Sequence, residues 1–168
     1  SKLQGGKMKL KSSLVLLVLL VSISVFTFSS FAGTTLGGTL EKNLTDDTLW
    51  YGGFLRTGGL FKLELGGSIP HSTTTSDTKL YSYFLMDLRM GSFDVNNGTL
   101  SLYFGASPAM TLNTSAPSFS ISDSAAWSKI GLQLNLYPFA IDVHSSGKFN
   151  FSGNLEELKA GIGLGLSF

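Results

Sequence analysis

Two short clusters carry the residue types that group-transfer chemistry uses. His144-Ser145-Ser146 sets an imidazole two residues from a hydroxyl, and Glu156-Glu157 supplies two carboxylates a little further along. In an extended chain, residues two apart share a face, so His144 and Ser146 project together. An acyl-transfer site needs a nucleophilic hydroxyl, an imidazole to take its proton and a carboxylate to orient that imidazole. On this logic Ser146 is the nucleophile, His144 the base, and Glu156 or Glu157 the orienting acid. The bland alternative is a histidine that happens to sit in a Ser-rich stretch. Other chemistries lack their parts. There are no cysteines, hence no thiolate nucleophile, disulfide or thiolate metal site. His71 stands alone in a polar segment, and no cluster has metal-ligand spacing. Gly161, Gly163 and Gly165 alternate along an extended stretch with no helix after them, so they form no phosphate loop. No cofactor or metal is expected.

The elements that must position these residues are strands. At the C-terminus Ala160, Ile162, Leu164, Leu166 and Phe168 fall on one parity, against Lys159, Gly161, Gly163, Gly165 and Ser167 on the other. Strict alternation at period two marks a strand with a different environment on each face. Eight such segments can be read, over residues 34–42, 48–57, 60–67, 79–92, 99–107, 125–136, 139–145 and 158–168. In the sixth, Ile130, Leu132, Leu134 and Leu136 oppose Lys129, Gly131, Gln133 and Asn135. The connections alternate in character. Those at 43–47, 68–78, 108–124 and 146–157 are polar. Those at Gly58-Gly59, at Asp94 to Gly98 (ending in the hairpin signal Asn97-Gly98) and at Tyr137-Pro138 are tight.

An even number of strands with alternating short and long connections is the organisation of transmembrane barrels. Strands near ten residues match a tilted crossing. Aromatics near strand ends (Trp50, Tyr51, Tyr81, Trp127, Tyr137, Phe139 and Phe168) read as interfacial girdles. The competing architecture is a soluble exported barrel with its faces reversed. With 14% charged residues, the chain has little with which to coat such an exterior. The C-terminal strand adds a further pointer, because Gly163, Leu166 and the terminal Phe168 resemble the closing-strand assembly signal of bacterial outer-membrane β-barrel proteins, with Gly161 where that signal usually has a polar residue. The resemblance implies an all-β fold, an eight-stranded antiparallel up-and-down transmembrane barrel over residues 33–168. It also implies contact with outer-membrane lipids and lipopolysaccharide, recognition of the last strand by the barrel-assembly machinery, and a monomer.

The front of the chain is compatible with export. Lys9 and Lys11 precede an apolar run from Leu14 to Phe28, and Ser30-Phe31-Ala32 gives a small-x-small cleavage site. That run, about 15 residues, falls short of the roughly 20 that a spanning helix needs. Residues 8–32 are therefore expected to be a signal peptide starting at Met8. Residues 1–7, in which Gln4-Gly5-Gly6-Lys7 is encodable as a ribosome-binding site, are expected to be translated leader. Four of the 12 basic residues (Lys2, Lys7, Lys9 and Lys11) lie in this region. The remaining 8 bases against 11 acids give residues 33–168 a net charge of −3. That is no footprint for nucleic acid.

With the aliphatic face outward, the inward charges are Glu41, Arg56, Lys62, Glu64, Asp87, Arg89, Lys129 and Asp142. An eight-stranded barrel has room only for side chains, so these charges are expected to pair into a balanced network that fills the lumen. A narrow, porin-like polar pore is the alternative. The functional expectation is a structural or surface-binding role, with the Ser/Thr-rich segments 68–78 and 108–124 as the interaction surface. The enzyme alternative has its own resemblance. His144, Ser146 and the following glutamates look like the His-x-Ser and Glu of the lipid A deacylases, also eight-stranded outer-membrane proteins. There the usual asparagine after the serine is Gly147 in this chain. That resemblance implies lipid A as substrate.

Overall fold

Residues 33–71, 77–113 and 118–168 are described by the computed structural model of the chain. The expected leader (1–7) and signal peptide (8–32) lie outside the described residues. Eight strands follow in order: β1 (Thr35–Asn43), β2 (Leu49–Gly58), β3 (Phe61–Pro70), β4 (Asp77–Phe93), β5 (Gly98–Asn113), β6 (Ser118–Leu136), β7 (Phe139–Asn150) and β8 (Leu155–Ser167). Each pairs antiparallel with its sequence neighbours, and β8 pairs back onto β1, from Thr35 opposite Ser167 to Asn43 opposite Lys159. The sheet is thus a closed up-and-down barrel with no free side edge around its ring.

The turn chemistry explains the tight end. Gly58 has φ +126°, and a Cβ there would lie 2.3 Å from the Phe61 carbonyl oxygen, so only glycine fits the β2–β3 turn. Between β4 and β5 the left-handed positions belong to Asn96 and Asn97, at φ 52° and 50°, while Gly98 is extended. The hairpin signal Asn97-Gly98 marks the place correctly but names the wrong pair of residues. Asparagine tolerates this region because its short amide can bond locally.

Alternation then sorts the side chains. Leu36, Leu40, Phe84, Leu88, Phe104, Ile130, Leu132, Ile141, Val143, Ile162 and Leu164 are exposed on the outer wall. The inside holds Glu41, Arg56, Glu64, Lys129, Gln133, Asp142, His144 and Lys159, all buried, among Trp50, Phe54, Tyr81, Tyr83, Tyr103 and Trp127. The polarity of a water-soluble barrel is therefore inverted. Leu164 is 67% exposed, whereas Gln133 is 2% exposed.

Two expectations are corrected. Trp50, Tyr81 and Trp127 belong to the lumen rather than to a girdle, because they share parity with Arg56, Asp87 and Lys129. Tyr51, Tyr137, Phe139 and Phe168 are exposed. The segments 68–78 and 108–124 are also much less loop than their composition suggests. β3 runs to Pro70, β4 starts at Asp77, and β5 and β6 continue to Asn113 and back from Ser118. The upper hairpin pairs Met110 with Ile121, Thr111 with Ser120 and Leu112 with Phe119, so apolar and hydroxyl side chains alternate there too. Pro108 is tolerated because the register breaks just beyond it, between Pro108 and Met110. β7 pairs with β6 only as far as Asn150 opposite Ala125. The hairpin thus projects past its neighbour on that side by residues 118–124, about 20 Å at about 3.3 Å per residue.

Candidate functional site

The lumen is organised by which inward residues the register sets side by side. Arg56 stands opposite Glu64 across β2–β3, and Gln133 opposite Asp142 across β6–β7. Arg56 bridges the two pairs through the barrel interior. Its Nε donates to Glu64 Oε2 at 2.7 Å, with Nη2 on the same oxygen. Its Nη1 donates to Gln133 Oε1 at 2.6 Å and to Asp142 Oδ2 at 3.2 Å. The guanidinium lies 4.3 Å from the Tyr103 ring centroid, a cation–π contact that closes its remaining face. Lys129 Nζ takes the other Glu64 oxygen at 2.7 Å.

His144 continues the chain of contacts. Its Nδ1 lies 2.6 Å from Asp142 Oδ1 and its Nε2 lies 3.0 Å from Glu41 Oε1, while Lys159 Nζ reaches Glu41 Oε2 at 3.2 Å. Seven groups therefore run in series, Lys159–Glu41–His144–Asp142–Arg56–Glu64–Lys129. Every oxygen of the three carboxylates meets a nitrogen donor. Both ring nitrogens of His144 are thus occupied by carboxylates, which fixes the ring's orientation. Glycine makes the room. His144 faces Gly131 on one side and Gly161 on the other. A Cβ at Gly131 would lie 2.4 Å from the Tyr103 hydroxyl, and one at Gly161 would lie 2.7 Å from His144 Nε2.

Five of the eight inward charges read from the sequence, Glu41, Arg56, Glu64, Lys129 and Asp142, meet in this one network. Lys62 and Asp87 form a separate ion pair. Arg89 does not join. It lies at the β4–β5 register shift, exposed beyond the last buried inward position, Asp87. Sequence reasoning passed over two members. His144 had been weighed for catalysis, and Lys159 shares the inward parity of Gly161 and Gly163, which was the available signal.

Near the polar-connection end, alternate strands β2, β4, β6 and β8 contribute Trp50, Lys79, Trp127 and Lys159 to one layer. Each ammonium lies 4.2 Å from the Trp50 ring, with 5.4 Å (Lys79) and 5.3 Å (Lys159) to Trp127. Lys79 also pairs with Glu157, which accepts from Asn43 Nδ2 at 3.0 Å. Inside this layer is a cavity of about 10 Å³, with Ser68, Ser146, Tyr81 and Tyr83 in its lining. Such a volume holds about one water. Beyond it, the β1–β2 connection is tied by Thr45 N–H to Asn43 Oδ1 at 2.9 Å and Thr48 N–H to Asp46 Oδ1 at 3.0 Å. Burial works against the charged form of Asp46, but the Thr48 donors outweigh it and hold that carboxyl below the usual range.

The acyl-transfer candidates are not assembled into a relay. His144 and Ser146 do share the inner face, and both are buried. Both imidazole nitrogens, however, are occupied by Asp142 and Glu41 rather than by Glu156 or Glu157. Glu156 is exposed and pairs with Lys148 at 2.8 Å, and Glu157 is held by Lys79. Ser145 points outward and donates to the Lys159 carbonyl at 3.0 Å. Among the described residues, no group of three or more histidine, aspartate or glutamate side chains converges as metal ligands would. Of the closing-strand residues, Gly163 is inward beside Asp142, Leu166 and Phe168 are exposed, and the Phe168 N–H donates to the Thr34 carbonyl at 2.9 Å. No protein-family model matches the chain, and no curated protein matches it significantly.

Proposed function

We propose that the chain is an integral β-barrel protein of a bacterial outer membrane, with a structural or surface-binding role. The observation that carries this reading is the inverted polarity of the wall. A continuous aliphatic exterior around a lumen of paired charges suits hydrocarbon outside and a sealed polar core inside. A concavity on the outer wall, about 740 Å³, agrees with it, being bounded by Phe61, Phe84, Phe104, Ile130 and Phe149 over small residues. Residues 8–32 then serve as the export signal, and the exposed Phe168 end of β8 as the mark read by the assembly machinery. Outer-membrane lipids and lipopolysaccharide surround the wall. The packed layer of Trp50, Lys79, Trp127 and Lys159 favours a closed lumen over a pore.

The projecting β5–β6 hairpin is the proposed interaction surface, since specificity on rigid scaffolds resides in such extensions. The rival is lipid A acyl hydrolysis by His144, Ser146 and Glu156 or Glu157. One assay separates them. On the binding reading, purified protein releases no fatty acid from lipid A, and replacing residues 110–121 by a short turn leaves a folded barrel with altered surface binding. Fatty-acid release that Ser146→Ala abolishes in a folded barrel would establish the rival.

A further inference from the structure

The concavity on the outer wall is built by the register. Its floor is one cross-strand row, in which Ala106 of β5 pairs with Ser128 of β6 and Ser128 pairs with Gly147 of β7. The row ends at Phe84 on β4 and at Leu158 on β8. Phe84 is braced by its stack on Phe61, with ring centroids 5.7 Å apart. The next row toward the tight turns, Phe104 with Ile130, forms one bank, and Phe149 stands on the other side. Small side chains between large ones leave a groove of about 740 Å³.

This groove asks for no polar partner. The Ser128 hydroxyl donates to the Gly147 carbonyl at 3.4 Å, and the Ser145 hydroxyl is engaged by the Lys159 carbonyl. Lys129 is also in the lining, but its ammonium is in the lumen on Glu64. The dimensions suit a chain. Four strand spacings separate Phe84 from Leu158, about 19 Å along the wall. With strands tilted by about 45°, the row descends about 13 Å, close to one leaflet of a hydrocarbon core about 30 Å thick. Gly147 is three residues from the β7 end at Asn150, and Leu158 is three from the β8 start at Leu155, so the groove opens on the side of the polar connections.

We propose that this groove seats one acyl chain of a lipid in the leaflet beside the polar connections, an inference that rests on the membrane reading above. On that reading the leaflet is the external one, because the longer connections of such barrels are extracellular, and the lipid is lipopolysaccharide. A chain lying in the groove meets apolar atoms on its floor and both banks, whereas a chain against the convex wall meets them on one side. The many added contacts, each small, hold it longer than its fluid neighbours.

The experiment adds lipopolysaccharide or phosphatidylethanolamine to the barrel folded in a neutral detergent, removes the excess by size exclusion, and counts retained lipids by native mass spectrometry. The expected result is one lipopolysaccharide per barrel, with phosphatidylethanolamine washed away. Ser128→Leu fills the floor with a side chain that the wall accepts, and should lower retention at least tenfold. Ala106→Leu should do the same, and serves if the first variant does not fold. Val143→Leu, on the outer wall but outside the groove, should leave retention unchanged. A folded wild-type barrel that retains no lipopolysaccharide, or retains phosphatidylethanolamine equally well, would overturn the proposal. So would a folded, filled variant that retains lipopolysaccharide like wild type. Any of these results in a barrel that still requires detergent leaves the membrane reading standing, whereas a barrel that stays folded and monodisperse in water defeats that reading itself.

Discussion

His144 and Glu41 meet across a glycine. Gly161 stands between them in the register, opposite Glu41 on β1 and His144 on β7, and the 3.0 Å contact from Nε2 to Oε1 passes over the place where a side chain would be. The small residues on the inner face of β8 are therefore what lets a seven-membered ionic chain close through the barrel.

Adding one methyl there should break the chain of contacts. A Cβ at Gly161 would lie 2.7 Å from His144 Nε2 and 3.0 Å from Glu41 Cγ. Gly161→Ala is expected to destabilise the barrel by about 1–3 kcal/mol, the usual range for overpacking. Gly53→Ala is the control, since its Cβ would meet only the Gly37 carbonyl at an ordinary 3.7 Å. Urea midpoints of the two variants should differ clearly, and equal midpoints would contradict the packing described.

Arg56 is the hub of the network and should be its least replaceable member. Arg56→Met leaves Glu64 and Asp142 buried without their shared cation, a loss of about 3–5 kcal/mol for a broken buried pair. The Lys42–Asp47 pair, with side chains 54% and 85% exposed, offers the contrast. Lys42→Ala should cost about 0–1 kcal/mol, as exposed pairs do. Unfolding measured in the same detergent would rank the two.

Depth within the wall should govern the penalty for charge. Leu132 lies exposed mid-strand on β6, and Phe151 lies in the β7–β8 connection. In a bilayer Leu132→Arg should cost about 2–4 kcal/mol and Phe151→Arg about 0–1 kcal/mol. Folding yield into lipid vesicles is the readout, and equal yields would argue against a hydrocarbon environment at Leu132.

Period two made the strands and their faces readable from the sequence. The alternation of Ile130 and Leu132 with Lys129 and Gln133 separates two faces without any structure, and the low charge content, 14% of residues, is what points to the aliphatic one as the wall. Pairing partners were a different matter. Arg56 and Asp142 are 86 residues apart, and their contact exists only because the sheet closes and the register fixes heights across it. The hairpin of β5 and β6 was hidden by local composition, since serine, threonine and proline read as loop, although residues 110–113 pair with 118–121 in the same stretch and with 77–80 on β4. Trp50 and Trp127 were misassigned because closeness to a strand end was weighed above parity. The catalytic reading of His144 rested on its neighbours in sequence. The residues that hold it, Asp142 and Glu41, include one that only barrel closure brings near.

The central claim is that the inverted barrel resides in a membrane. Differential extraction of the expressed protein tests it most directly, followed by electrophoresis of unheated and boiled samples. The account predicts that the chain stays with the membrane fraction until detergent is added and migrates faster unheated than boiled. Recovery of a monodisperse, folded monomer from the aqueous fraction without detergent would contradict it.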